Sequence, residues 1–572
     1  MITITKPIYI LGTGLSHDGS SCLMKNGKIV VAIEKERLSK IKHDGFNDND
    51  TIQYCLDYAG ITIQDIDLIV EESTLNTKYK SEDLIRIGSR KIPDYIPKVK
   101  ISHHLAHAYS VIGPSPFQEM GVVVMDGQGS SLDDCKDITS DSLPKEFKNL
   151  SKNSQKDFWE KESYYIYKDN TLIPIIRDFS RFIIRDFKKF PIAPNDMDNS
   201  VAELYGGMSR YVFNAQFSEG KLMGLAPYGN KDAYKKNLFK CSNGRVFINY
   251  DSIKSINYFK GGKFNNLKDN FQYFADLARW MQEESERAVI YLFNSYYQSY
   301  PIDNVGYAGG LALNSVINGK LKKSTPFKNF YFQPAANDSG LSIGCCYYGW
   351  LEVLKNKKTE FSQKNNFGKI YNEKEILDCL NKFSSKITFK KIDNVEFETA
   401  SLLSEGKVIA LFNGSSEFGP RALGNRSILA DPRINGMDDY INKEIKNRED
   451  FRPFAPSVLE EDLNEYFILD YLKSPHMLLV GLVKEKYREQ LPAITHIDGT
   501  ARIQTVNKSD NIKYYTVLKH FKSITGMGVI LNTSFNDKGM PIVETPDDAL
   551  NFFVTSKIDV LVIENYVIER IN

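Results

Sequence analysis

The stretch IYILGTGLSHDGSSCLMKNGKIVVAIEKERLS, residues 8–39, reads as an apolar run, a Gly-rich loop, a second apolar run, the dipeptide Asn26-Gly27 and a third run. Asn-Gly between apolar runs is a strong hairpin signal, because both residues tolerate the positive φ that a tight turn needs. The layout returns further on. GVVVMDGQGSS (121–131) ends a strand at Asp126 and a Gly-rich loop, and SYYIYKDNTLIPIIRDFS (163–180) predicts two strands about Asp169-Asn170. Two strand–Gly turn–strand units in one chain predict a duplicated α/β half-domain whose halves face each other across a cleft. Between them, residues 132–160 form a polar insertion rich in Lys, Asp and Ser, expected as a surface excursion.

Further Gly-rich turns stand at VGYAGGLALNS (305–315) and AANDSGLSIGCC (335–346), the second leading into a predicted helix, LSIGCCYYGWLEVL (341–354). The apolar-poor, charged stretch from Lys355 on marks a boundary. It divides the chain into a domain over 1–355, a linker over 356–370 and a domain over 371–572. Beyond it, predicted strands KVIALFN (407–413), MGVILNTS (527–534) and DVLVIENYVI (559–568) alternate with helical stretches, the pattern of a second α/β domain.

Composition bounds the function. A chain of 572 residues is too long for one core, and two or three domains are expected. With 73 basic and 72 acidic residues the net charge is +1, which speaks against an extended nucleic-acid surface but not against a local basic pocket. No apolar run reaches the ~18 residues of a membrane span. The opening MITITKPIYILGTG reads as a strand rather than a signal peptide. The seven cysteines form no CxxC pair, as expected for reduced thiols in a cytoplasmic protein.

ISHHLAHAYS (101–110) holds three of the eight histidines. His103 and His107, at i and i+4, share one helix face and make a ready pair of metal ligands. Asp126 at a strand end and Asp338 at a predicted helix start complete a His2Asp2 set. Nitrogen and oxygen ligands without thiolate suit Fe2+, Zn2+ or Mn2+. Plainer roles are open to the same residues: Asp338 as a helix N-cap, Asp126 as a turn residue, His104 as a core or surface histidine.

A second cluster lies in NGSSEFGPRALGNRSILADPR (413–433) and NKEIKNREDFRPFAPS (442–457), with Arg421, Lys446, Arg448 and Arg452. Arg502 in DGTARIQTV follows, then Ser534 and Asn536 in LNTSFND. Guanidinium forks grip phosphate oxygens bidentately and lysine adds a point charge. The cations are interleaved with Gly, Pro and Phe, which favours a folded pocket for a polyanionic small molecule over a solvated basic face. No GxxxxGK[ST] is present, so the cluster is not a P-loop.

These motifs carry a resemblance. GLSHDGSSCLMKNGKIVVAIEKERLSKIKHDG (14–45), HHLAHA (103–108), EGKLMGLAPYG (219–229), GGLALN (309–314), EFGPRALGNRSILADPR (417–433) and RPFAPSVL (452–459) are similar to the O-carbamoyltransferases of natural-product and nodulation-factor biosynthesis. The likeness spans nearly the whole chain in motif order, except the polar stretch 132–160. It implies a duplicated actin-like, ribonuclease-H-like N-terminal domain with a cleft, similar to the catalytic subunit of the tRNA threonylcarbamoyl machinery. It also implies a C-terminal domain of the threonylcarbamoyl-adenylate-synthase type. Two reactions follow from it. Carbamoyl phosphate and ATP, with Mg2+, give carbamoyl-adenylate in the second domain with loss of phosphate and pyrophosphate. An acceptor hydroxyl then attacks the carbamoyl carbon in the first, and AMP leaves.

By that resemblance an iron-type site falls on His103, His107, Asp126 and Asp338, and His17 is the catalytic histidine. Lys42 contacts the acceptor, and Gly127, Lys221, Gly309 and Gly310 contact the adenylate. Arg421, Lys446, Arg452, Arg502 and Ser534 contact phosphate and nucleotide, with Arg448 and Asn536 added from the KxR and SxN patterns of the related synthases. The expected partner is a small-molecule hydroxyl acceptor, with no nucleic acid and no membrane, in a cytoplasmic enzyme with a homodimer as the candidate assembly. Three rivals stand beside this reading: a tRNA-modifying transferase, a sugar kinase or ATPase using the first cleft alone, and a non-catalytic scaffold. Salt-dependent tRNA binding marks the first, ADP as product the second, and no ATP turnover with carbamoyl phosphate the third.

Overall fold

The computed structural model describes residues 6–72, 92–181, 200–253, 267–359 and 361–571. They pack as two units. One comprises Met1–Ser16, Met24–Lys28 and Gln64–Ser362; the other comprises His17–Leu23, Ile29–Ile63 and Gln363–Asn572.

The chain up to Phe332 builds two five-stranded sheets. β1 (Tyr9–Gly14), β2 (Ser20–Lys25), β3 (Lys28–Glu34), β4 (Leu68–Glu72) and β5 (Lys98–Ile101) stand in the order β3-β2-β1-β4-β5. β6 (Met120–Met125), β7 (Phe158–Lys168) and β8 (Thr171–Arg181) precede a separate hairpin of β9 (Phe239–Ser242) and β10 (Arg245–Ile248). With β11 (Asn304–Ala308) and β12 (Asn329–Phe332) they give the second sheet, β12-β11-β6-β7-β8. Counted outward from β1 and from β6, the two orders coincide. β4 lies parallel to β1 and β5 parallel to β4, as β11 lies parallel to β6 and β12 parallel to β11. The duplication expected from the sequence is therefore present, in a mixed α/β fold. Its turns follow the residues that foretold them: Asn26 and Gly27 have φ of 49° and 79°, and Asp169 and Asn170 have 52° and 56°.

Each repeat sends its fifth strand into a helix. The helix His103–Ile112 follows β5, and the helix Leu341–Tyr348 follows β12 through the turn Asp338–Gly340. The two helices touch where Gly344 lies, since a Cβ there would stand 1.8 Å from the Ala106 carbonyl oxygen. The predicted helix over 341–354 ends its α turns at Tyr348 and continues as one wider turn, Gly349–Val353. The insertion is about half exposed and has an apolar foot, where Leu132 and Phe147 pack with Phe158 and Phe179. Its last residues, from Phe158, already belong to β7. Among the described residues no helix is long and apolar enough to cross a membrane.

The second unit is organised on a ten-stranded sheet. Its strands are β13 (Ile387–Lys391), β14 (Ile409–Phe412), β15 (Arg426–Ala430), β16 (Ala455–Leu459), β17 (Phe467–Ile468), β18 (Leu479–Val483), β19 (Thr500–Val506), β20 (Val529–Ser534), β21 (Val560–Ile563) and β22 (Tyr566–Arg570). The order is β13-β22-β21-β14-β15-β20-β16-β19-β18-β17. Neighbours in sequence feed opposite faces: Ile428 joins the cluster around Leu380, Phe454 and Leu531, and Leu429 the cluster around Leu403, Tyr514 and Phe521. The run 559–568, expected as a strand, is two antiparallel strands, because Glu564 adopts φ 49° and turns the chain. Residues from the N-terminal part are bound into this unit. Tyr54 donates to Glu544 Oε1 at 2.6 Å and accepts from the Lys369 amide at 2.7 Å, while Arg37 Nη2 donates to the Gly419 carbonyl at 2.8 Å.

Candidate functional site

The first repeat supplies two imidazoles and the second two carboxylates. His103 opens its helix, so His103 and His107 stand one turn apart on one face, both fully buried. Asp126 is the first residue after β6, and Asp338 begins the turn after β12. One ligand atom from each of the four lies within 4.8 Å of the others. His103 Nε2 is 2.9 Å from Asp126 Oδ2, 3.4 Å from Asp338 Oδ1 and 3.2 Å from His107 Nε2. Burial disfavours a charged His103, but Asp338, Glu72 and Asp126 outweigh it and raise its proton affinity well above the ordinary. Burial pushes the Asp126 carboxyl up, yet the hydrogen bond with His103 leads it to a net lowering.

The structure thus brings together the four residues singled out in the sequence. A buried His2Asp2 set with converging atoms and no thiolate fits a divalent first-row metal ion. His104 faces away: its Nδ1 is 2.7 Å from Ser163 Oγ, and burial lowers its proton affinity, as in a core histidine. The Gly310 amide donates to Asp126 Oδ1 at 3.0 Å, and Gly309 has φ 91° with Met125 O only 2.2 Å from where a Cβ would sit. The Gly127 carbonyl accepts from Lys161 Nζ at 2.6 Å. Lys221 lies on the helix Glu219–Leu225 with its ammonium 5.6 Å from the Phe213 ring centre. Sequence reasoning missed Glu72, whose Oε1 accepts from His103 Nδ1 at 2.9 Å. The signal was available in DLIVEE (67–72), an apolar strand ending in two carboxylates.

His17 sits in the turn between β1 and β2, within the second unit. His43 Nδ1 donates to Asp18 Oδ1 at 2.7 Å, and His17 Nδ1 lies 3.6 Å from the same oxygen. Burial opposes ionisation of Asp18, but the two imidazoles, His17 foremost, hold its carboxyl far below the usual range. The turn is a pair of His-Asp-Gly tripeptides, 17–19 and 43–45, in contact: the Gly19 amide donates to the Asp44 carbonyl at 2.9 Å. That repetition was the missed signal for Asp18 and His43. Lys42, beside them, is exposed and close enough to Lys446 to act on its charge.

In the same unit the cationic residues converge. Burial, then the charges of Arg421, Arg448 and Arg452, press the Arg502 guanidinium well below its ordinary proton affinity. Arg421 and Arg448 are pushed down in the same way by burial and then by Arg452, and Arg452 by burial. Guanidinium stays charged in proteins, so these shifts register an unfavourable crowd of like charges rather than proton loss. The buried Nε atoms of Arg421 and Arg502 have no hydrogen-bond partner among the described residues. Lys446 differs. Its ammonium donates to the Ser534 carbonyl at 2.6 Å, the Asn536 carbonyl at 2.7 Å and Asn536 Oδ1 at 2.6 Å. It holds the turn that carries Ser534 and Asn536, whose side chains are joined at 2.7 Å.

Residues 9–96 and 72–347 match the family model described as carbamoyltransferase N-terminus, and residues 400–570 match carbamoyltransferase C-terminus. An uncharacterized protein of Synechocystis sp. is 33% identical, over 98% of this chain and 97% of that one. The nodulation protein NolNO of Sinorhizobium fredii is 33% identical, over 97% of this chain and 79% of its own. The 3'-hydroxymethylcephem-O-carbamoyltransferase of Amycolatopsis lactamdurans is 32% identical, over 49% of this chain and 48% of its own.

Proposed function

The chain belongs to the O-carbamoyltransferase family, enzymes that transfer carbamoyl groups, and from that premise we propose an ATP-dependent, two-step transfer to a small-molecule hydroxyl. In the first step carbamoyl phosphate and ATP give carbamoyl-adenylate, phosphate and pyrophosphate at the arginine cluster of the second unit. In the second, the acceptor oxygen attacks the carbamoyl carbon, its proton passes to His17, and the bond to AMP breaks.

The observation that carries this reading is the crowd of Arg421, Arg448, Arg452 and Arg502, with bare Nε atoms on Arg421 and Arg502. Arg448 donates to Asn442 and Arg452 lies by Glu449, so the crowd is compensated only in part; partly compensated buried like charges are costly, and a polyanion is the ligand that offsets them. Ser534 and Asn536, braced by Lys446, add neutral hydrogen-bonding groups beside that charge. Asp18 braces His17, and Lys42 stands next in line to meet the acceptor. Gly127, Gly309 and Gly310, next to Asp126, offer backbone to the adenylate, with Lys221 as a candidate counter-charge. His103, His107, Asp126 and Asp338 would hold a divalent ion, Fe2+ first and Zn2+ or Mn2+ otherwise, which supplies charge neutralisation to the leaving phosphate when bound. The likeness to a 3'-hydroxymethylcephem-O-carbamoyltransferase supports a natural-product acceptor. A reducing, cytoplasmic setting fits the seven free thiols.

Pyrophosphate and carbamoylated product are measured side by side with ATP, carbamoyl phosphate and a panel of polyhydroxylated acceptors. Each lost charge-assisted contact costs about 1.5–3 kcal/mol, so Arg421→Ala and Arg502→Ala are expected to slow pyrophosphate release by roughly 10- to 150-fold. His17→Ala is expected to keep pyrophosphate release and lose product. Wild-type pyrophosphate release in both arginine variants overturns the adenylation site, and wild-type transfer by His17→Ala overturns the base.

A further inference from the structure

Glu72 ends β4, pinned on both sides: Gly14 of β1 and Ile101 of β5 are its partners in register. Its backbone carbonyl also accepts from the Leu15 amide at 3.3 Å. The residue is wholly buried, and so is His103, so their 2.9 Å contact is made in a low-dielectric interior where neither group exchanges partners with water. Oε1 faces His103 Nδ1, and Oε2 has no hydrogen-bond partner among the described residues. The other imidazole has no such support: His107 Nδ1 is buried and without a partner among the described residues. The two histidines of one HxxxH pair are therefore unequal.

Resting on the reading of His103, His107, Asp126 and Asp338 as a metal site, we propose that Glu72 is a positioning residue of that site. Its carboxylate takes the Nδ1–H of His103, fixes the tautomer, and presents the Nε2 lone pair to the ion, so that His103 is the dominant imidazole ligand. Carboxylates behind a ligating histidine orient the ring and raise its basicity. Formal charge supports the assignment. Glu72, Asp126 and Asp338 put three buried carboxylates beside two imidazoles, and a divalent cation removes most of that excess.

The test uses the full-length protein, stripped with chelator and titrated with Zn2+ against a competing chromophoric chelator, and with Co2+ read by its visible d–d bands. Glu72→Gln keeps the length and an acceptor oxygen but removes the charge. It is expected to weaken Zn2+ binding about 10- to 100-fold, with the metal-free unfolding midpoint unchanged. Glu72→Asp, which keeps the charge but draws it back by one methylene, is expected to weaken binding as well and to alter the Co2+ bands. His107→Ala is expected to lose less affinity than His103→Ala. Wild-type affinity in Glu72→Gln, or a lowered metal-free midpoint with affinity intact in the folded protein, overturns the positioning role. Failure of the wild type itself to bind Zn2+ or Co2+ stoichiometrically overturns the metal site, a different result.

Discussion

Arg502, a phosphate contact on the proposed reading, is a side chain that the resting fold leaves poorly compensated. The charges that act on it are those of Arg421, Arg448 and Arg452, and its Nε meets no acceptor among the described residues. Replacing a buried, badly compensated charge by an apolar residue of similar length often stabilises a protein. Arg502→Met is therefore expected to raise the unfolding free energy of the ligand-free protein by roughly 1 kcal/mol, and to lack the stabilisation by pyrophosphate that the proposed site predicts for the wild type. Urea unfolding with and without pyrophosphate measures both. A less stable Arg502→Met would mean that the guanidinium serves the resting structure instead. Lys446 sits at the opposite pole. Its ammonium is engaged by three close acceptors, so its first duty is to shape the turn holding Ser534 and Asn536. The sequence offered both as equivalent cations, because residue type reports charge and says nothing of how many protein acceptors surround it.

At the scale of elements, the helix His103–Ile112 is held at its first turn by a relay. Ser130 Oγ accepts from the His103 amide at 2.9 Å, and Glu160 Oε2 accepts from the His104 amide at 3.2 Å and the Ser130 amide at 2.9 Å. The His103 and His104 amides are among the orphan donors that every helix start must satisfy. Glu160 is in turn ion-paired with Arg177, which also binds Asp137 of the polar insertion. Arg177 and Glu160 are fully buried. Breaking a buried pair leaves an uncompensated charge and costs about 3–5 kcal/mol. Glu160→Ala is expected to lose about that much stability in denaturant titrations, and to weaken metal binding because the ligand helix loses its anchor. A loss under 1 kcal/mol would show that Asp137 alone suffices for Arg177. The insertion, which reads from sequence as a surface excursion, thus has a foot on the element carrying two proposed ligands.

At the scale of the whole chain, the packing units do not follow the linear order. The crossing from one to the other at Ser362–Gln363 lies within the stretch 356–370, but residues 17–23 and 29–63 pack with the C-terminal residues. The helix Asn49–Ala59 buries Ile52, Cys55 and Leu56, and Tyr54 ties it to Glu544 and Lys369. A fragment over 363–572 is therefore expected not to unfold cooperatively by itself and to regain cooperative unfolding when a fragment over 1–362 is co-expressed. Circular dichroism and size exclusion on each preparation check this. Full cooperative unfolding of 363–572 alone, at the midpoint of the intact protein, would show that residues 17–63 are dispensable to that unit.

What the sequence by itself determined is what short-range chemistry encodes. Asn26-Gly27 and Asp169-Asn170 made hairpins because positive φ is a local property of those residues. The repeated strand–turn–strand pattern announced the duplication, and the i, i+4 spacing placed His103 and His107 on one face. Only the tertiary structure decided the partners. Glu72 meets His103 across 31 residues, and Tyr54 meets Glu544 across 490. Neither pairing has a sequence period, since each depends on where β4, β5 and the C-terminal sheet finish folding. The same holds for Lys446, which finds its acceptors 88 and 90 residues away. Periodicity and turn chemistry act over a few residues, whereas the environment that turns a carboxylate into a brace, or an ammonium into a strut, is assembled from strands far apart in the chain.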